Sequence, residues 1–125
     1  MNKQVINTPN APAAIGPYVQ AIEANGFLFL SGQLGIDSKT GALPKEIQQQ
    51  TQNSLANISS ILVEAGLGTQ NVVKTTIFLT DMADFATVNE IYSAFFASSY
   101  PARSCVAVKT LPKGAAVEIE CIAVR

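Results

Sequence analysis

Arg103 and Cys105 stand two residues apart in the run Pro101-Ala102-Arg103-Ser104-Cys105-Val106-Ala107-Val108. Pro101 has no backbone donor and suits the first residue of a strand. The small and β-branched residues after it suit a half-buried sheet. Side chains alternate along a strand, so Arg103, Cys105 and Ala107 share one face and Ala102, Ser104, Val106 and Val108 the other. Arg103 is the only arginine before the terminal Arg125. A lone guanidinium beside a thiol, among small neighbours, has the composition of an anion clamp; the alternative is a structural ion pair with Glu118 or Glu120. Those two carboxylates open an apolar strand over 117–124 and share a face with Ile122 and Val124. They read either as a solvated end with a surface pair, worth little energetically, or as part of a site with Arg103.

The sequence contains no histidine. Ser-His-Asp and Cys-His catalysis as usually built are excluded, as are most zinc sites. Proton chemistry falls to carboxylate, tyrosine, thiol, lysine or water. The net charge is −1, and the eight basic residues are scattered. That leaves no basic stripe for nucleic acid. No apolar run is long enough to span a membrane and no signal-peptide pattern opens the chain, which points to a cytoplasmic protein. Cys105 and Cys121 have neither metal-ligand nor redox spacing and fit a reducing compartment. Residues 1–125 read as one domain, without linker or repeat. Hydrophobic residues make up 48% and charged residues only 14%. So few charges on so small a chain imply that other subunits cover part of its surface.

The elements that must position these residues follow from periodicity and turn chemistry. Residues 3–7 suit a short edge strand, and 8–12, with two prolines, an irregular segment. Gly16-Pro17 is a turn that delivers Tyr18, either a core aromatic or a site residue. Strands over 19–24 and 27–33 flank Asn25-Gly26, the preferred two-residue hairpin turn. The long apolar run of the second strand implies cover on both faces. Ser31-Gly32-Gln33 interrupts it, marking a bulge or a close approach to the backbone. A helix over 46–65 carries Ile47, Thr51, Leu55, Ile58, Leu62 and Ala65 as its buried stripe, Gln, Asn and Ser on the other face, and Gly66 as its stop. A β-branched strand over 72–80 follows. Asp81 and Asp84 suit the start of a second helix, with Phe85, Val88, Tyr92 and Phe95 as its core stripe and Asn89 on the flank. Leu111-Pro112-Lys113-Gly114 is a turn, and the last two strands are expected to form a hairpin. The expected architecture is α+β: a single mixed sheet with two helices on one face. Its uncovered face must meet a neighbouring subunit.

Five segments, in order and in register, closely resemble the RidA (YjgF) family of reactive-intermediate deaminases. They are Gly16-Pro17-Tyr18-Val19-Gln20-Ala21, Ser31-Gly32-Gln33, Val73-Lys74-Thr75-Thr76, Pro101-Ala102-Arg103-Ser104 and Leu111-Pro112-Lys113-Gly114 through Ile119-Glu120. The resemblance spans about residues 10–124. It implies a chorismate-mutase-like fold, three subunits forming a central barrel, and clefts between subunits. It makes Arg103 the clamp for the substrate carboxylate, Tyr18, Ser31, Gly32, Asn89 and Cys105 the cleft lining, and Glu118 the manager of water. The implied reaction is hydrolysis of 2-imino acids, formed from enamines such as 2-aminoacrylate, to a 2-keto acid and ammonia. No metal or organic cofactor is needed, because an imine carbon is already electrophilic. The rival readings are a regulatory module that binds a small carboxylate without turnover, and RNA cleavage, which the scattered basic residues disfavour.

Overall fold

The structure, a computed structural model, describes residues 2–125. Eight regular elements follow in chain order: β1 Gln4–Ile6, β2 Ala21–Ala24, β3 Phe27–Leu34, α1 Ile47–Glu64, β4 Val72–Leu79, α2 Phe85–Phe96, β5 Ala102–Ala107 and β6 Val117–Val124. The strands form one six-stranded sheet in the order β1-β2-β3-β6-β4-β5. The β4–β5 pair is parallel and the other pairs are antiparallel. The mixed sheet is therefore as expected, but β5 and β6 are not a hairpin. The chain leaves β4 through α2, a crossover that returns β5 parallel to it at the sheet edge. β6 then enters between β3 and β4, where it has a partner on each side.

Alternation sorts the strands into two faces. Val117, Ile119, Cys121 and Ala123 of β6 are buried, as are Thr75, Ile77 and Leu79 of β4. With Leu28 and Leu30 they meet Leu55, Ile58, Ile61 and Leu62 of α1 and Val88, Tyr92 and Phe96 of α2 in one core. Both helices thus cover the same face. The opposite face has no layer upon it in this chain. Phe27 and Phe29 stand exposed there with their rings stacked, so within one chain the run 27–33 is covered on one face, and the second face is the one expected to meet a neighbouring subunit. Among the described residues no helix is long and apolar enough to cross a membrane.

Local signals set the element ends. Asn25 (φ 52°) and Gly26 (φ 81°) both take positive φ, as the hairpin turn requires. Gly66 (φ 75°) closes α1, with the Leu67 amide reaching back to the Leu62 carbonyl at 2.8 Å. Asp81 accepts the Ala83 amide at 2.9 Å where the chain turns into α2.

The polar side of α1 has a role its composition did not reveal. Gln50, Ser54 and Asn57 are buried. The Ser54 hydroxyl donates to the Gln33 carbonyl at 2.7 Å, and the Asn57 amide to the carbonyls of Leu34 and Ile36 at 3.2 and 2.9 Å. Gln50 donates to Pro44 O at 2.8 Å and accepts from Ala116 N at 2.9 Å. These bonds pin the segment leaving β3 and the one entering β6. Asn57→Leu removes the amide donor from two part-buried carbonyls and is expected to cost about 1–2 kcal/mol. A lower urea midpoint with an unchanged slope would show it; an unchanged midpoint would remove the pinning role.

Candidate active site

Register fixes which candidates meet. Thr75 of β4 lies opposite Arg103 of β5 and Cys121 of β6. Phe78 lies opposite Val106 and Glu118. Positions 75 and 78 differ by an odd number of residues, so they face opposite ways. Arg103 and Cys105 therefore stand on the helix-covered face, at the edge strand, and Glu118 and Glu120 on the open face. Among the described residues the one ion pair is Arg125–Glu23; Arg103 pairs with neither Glu118 nor Glu120.

The helix-side half is built by α2 and β5. Nη1 of Arg103 donates to Oδ1 of Asn89 at 2.6 Å. The guanidinium carbon lies 4.9 Å from the Tyr92 ring centre and 5.5 Å from that of Phe85. Phe85, Asn89 and Tyr92 follow one another at helical spacing, so one face of α2 supplies two aromatic surfaces and one amide acceptor. Tyr92 is only 3% exposed, and its hydroxyl shares a 2.6 Å hydrogen bond with Thr75. Burial, above all, pushes its pKa up, so it is neutral and fixed. Phe85 and Tyr92 read as core residues in the sequence; their second role, flanking the guanidinium, becomes visible only once β5 is placed beside β4. Cys105 is half-buried, and burial raises its thiol pKa more than the Arg103 charge lowers it. It is a thiol at neutral pH, which suits a polar contact better than nucleophilic attack. A cavity of about 500 Å³ opens beside Arg103, Asn89 and Tyr92.

The open-face half is built by the loops around β3 and β6. A cavity of about 870 Å³ is lined by Tyr18, Ser31, Gly32 and Glu118, among others. The sequence read Ser31-Gly32 as a bulge or a close approach, and both hold. The β3–β6 register shifts between Leu30 and Gln33. A Cβ at Gly32 would lie 2.6 Å from Oε2 of Glu118, so glycine leaves room for the carboxylate. The Ser31 hydroxyl donates to the Val19 carbonyl at 2.7 Å. Gln20, which the sequence reading passed over, is buried and holds the cavity's outer loop. Its Oε1 accepts from Thr8 N at 2.8 Å, and its Nε2 donates to the carbonyls of Thr8 and Pro12 at 3.1 and 2.9 Å. Burial, and then the neighbouring Glu120 charge, raise the pKa of Glu118.

Arg103, flanked by an amide acceptor and two aromatic rings, and Glu118, a carboxylate of raised pKa, thus lie on opposite faces of one sheet. A family profile described as Endoribonuclease L-PSP matches residues 8–125. The chain belongs to this family. A protein of Salmonella typhimurium named 2-iminobutanoate/2-iminopropanoate deaminase is 50% identical over 125 residues, covering 98% of each chain. The crystal structure of Escherichia coli TdcF with bound serine superposes with a TM-score of 0.94 at 47% identity, covering 98% of each chain. That of the E. coli YjgF gene product does so with a TM-score of 0.94 at 48% identity, again covering 98% of each. The resemblance to the RidA (YjgF) family read from the five segments is borne out along the whole chain.

The raised pKa of Glu118 has a stability consequence. A carboxylate whose folded pKa lies above its unfolded value contributes stability at low pH that is lost as pH rises through the folded pKa. At neutral pH the ionised Glu118 therefore opposes folding. Glu118→Gln is expected to raise the melting temperature at pH 7, and the difference from wild type should narrow towards pH 4. A lower melting temperature at pH 7 would show that the carboxylate is stabilised rather than strained where it lies.

Proposed function

We propose that this protein hydrolyses 2-imino acids, reached by tautomerisation of enamines such as 2-aminoacrylate, to 2-keto acids and ammonia. The observation that carries the reading is the pairing of chemistries: a braced guanidinium with free donors, and a carboxylate of raised pKa beside a roomy cavity. The name of the Salmonella relative supports it. A guanidinium can hold a substrate carboxylate through two parallel hydrogen bonds, which fixes the imine carbon for attack. Water adds to that carbon, and its proton passes to Glu118. The imine nitrogen takes up a proton from solvent, giving a carbinolamine, and this proton is balanced by the one released when the carbonyl forms. Glu118 returns its proton to the nitrogen, the C–N bond breaks, ammonia leaves, and the hydroxyl proton is lost as the carbonyl forms. A pKa closer to neutrality suits a group that must both take and give a proton.

The site on this reading is shared between subunits. Arg103 and Glu118 of one chain face opposite ways, so one substrate meets both only where the clamp of one subunit lies against the carboxylate of another. A homotrimer packing its open faces into a barrel would also cover Phe27, Phe29 and the other apolar side chains that one chain leaves exposed. The two free thiols suit the reducing cytoplasm.

The direct test is imine decay. A pyridoxal-phosphate serine or threonine dehydratase generates 2-aminoacrylate or 2-iminobutanoate, and semicarbazide traps what remains. Wild type is expected to accelerate the loss. Arg103→Ala should cost about 2–4 kcal/mol in kcat/KM, the worth of a charge-assisted bidentate contact. Glu118→Gln should lower kcat while leaving 2-ketobutyrate binding intact. Binding of 2-ketobutyrate by wild type without imine hydrolysis would select the regulatory-module reading instead.

A further inference from the structure

The cavity beside Arg103 has a second polar group, which the reaction above does not use. Its lining is completed by Ser93, Tyr100 and Pro101. Ser93 follows Asn89 by one helical turn, so both stand on the face of α2 that looks towards β5. The Tyr100 hydroxyl lies 3.0 Å from that of Ser93. Two hydroxyls bonded to each other carry two protons and use one between them, which leaves one O–H free to donate. Of the Arg103 donors, among the described residues, only Nη1 is engaged by a protein acceptor, Asn89.

The turn that brings Tyr100 here is tight and strained. α2 ends at Phe96, and Ala97 takes φ 58°, ψ −99°, a conformation that a residue with a Cβ seldom adopts. The Ser99 amide then returns to the Phe96 carbonyl at 3.1 Å. Three residues after Ala97, the phenol lies back over the last turns of α2 and remains 59% exposed. The tyrosine ring is therefore not held there by burial. Strain of this kind persists where it places a group that is used.

We propose that Tyr100 is a further substrate-binding residue. Its hydroxyl donates a hydrogen bond to the carboxylate held by Arg103, and Ser93 is the positioning residue that donates to the Tyr100 oxygen. The inference rests on the carboxylate-clamp reading of Arg103. It adds a neutral donor to the guanidinium, a pairing that distinguishes a planar carboxylate, with two acceptor oxygens, from a ligand with a single one.

The test is Tyr100→Phe, which keeps the exposed ring and removes only the hydroxyl. KM for 2-iminobutanoate and Kd for 2-ketobutyrate are expected to rise about tenfold, the worth of a hydrogen bond to a charged group, with kcat and the melting temperature little changed. Ser93→Ala should give a smaller rise, since Tyr100 keeps its own proton to donate. Unchanged KM and Kd in Tyr100→Phe would overturn the proposal. So would a fall in kcat and melting temperature together, which would make Tyr100 a support for the turn. The binding arm tests Tyr100 even without hydrolysis. A wild type that turns over the imine while Tyr100→Phe matches it refutes this inference alone; a wild type that neither turns over the imine nor binds 2-ketobutyrate refutes the clamp as well.

Discussion

Strand alternation is the constraint on which the site depends. β4 is flanked by β5 and β6, and its side chains point alternately to the two faces. Arg103 pairs at Thr75 and Glu118 at Phe78, an odd separation that no side-chain rotation can undo. A chain that needs both groups on one substrate must then assemble. The low charge content and the exposed phenylalanines of the open face fit the proposed assembly, in which another copy rather than a third layer would cover that face.

Within the chain, much of the polar chemistry holds the surroundings of Arg103 and Glu118 still. On one side, Asn89 and two aromatic rings brace a guanidinium that, among the described residues, makes no ion pair. On the other, Ser54, Asn57 and Gln50 of α1 fix the segments around β3 and β6, while Gln20 fixes the outer loop. A site built from loops gains its precision from such buried amides. Glu118 bears the opposing cost, since burial and the charge of Glu120 both disfavour its ionised form.

Much of this was legible in the sequence, and the failures have physical causes. Turn chemistry at Asn25-Gly26 and Gly66 gave the correct local structure, because positive φ is decided by the residues themselves. Alternation correctly sorted Arg103 with Cys105 and Glu118 with Glu120. The insertion of β6 between β3 and β4 was not legible, since strand order depends on long-range pairing and a short turn resembles a hairpin whether or not its strands pair. The polar stripe of α1 reads as the side away from the core, because composition cannot distinguish an amide facing water from one facing a backbone carbonyl. Gln20 and the second role of Tyr92 were missed for the same reason: both become apparent only when distant segments meet. The five family segments brought the candidate site residues together by resemblance, whereas the placement of Arg103 and Glu118 on opposite faces came from the register.

The most direct measurement of the shared site is complementation between two inactive variants. Arg103→Ala and Glu118→Gln proteins would be unfolded together, refolded as a mixture, and assayed for 2-iminobutanoate decay against each variant refolded alone. In the mixture, an intact clamp from one chain can meet an intact carboxylate from another. Activity should return to about a quarter of the wild-type rate, as random pairing of two chains across equivalent interfaces requires. A mixture no more active than its components would contradict a site divided between subunits.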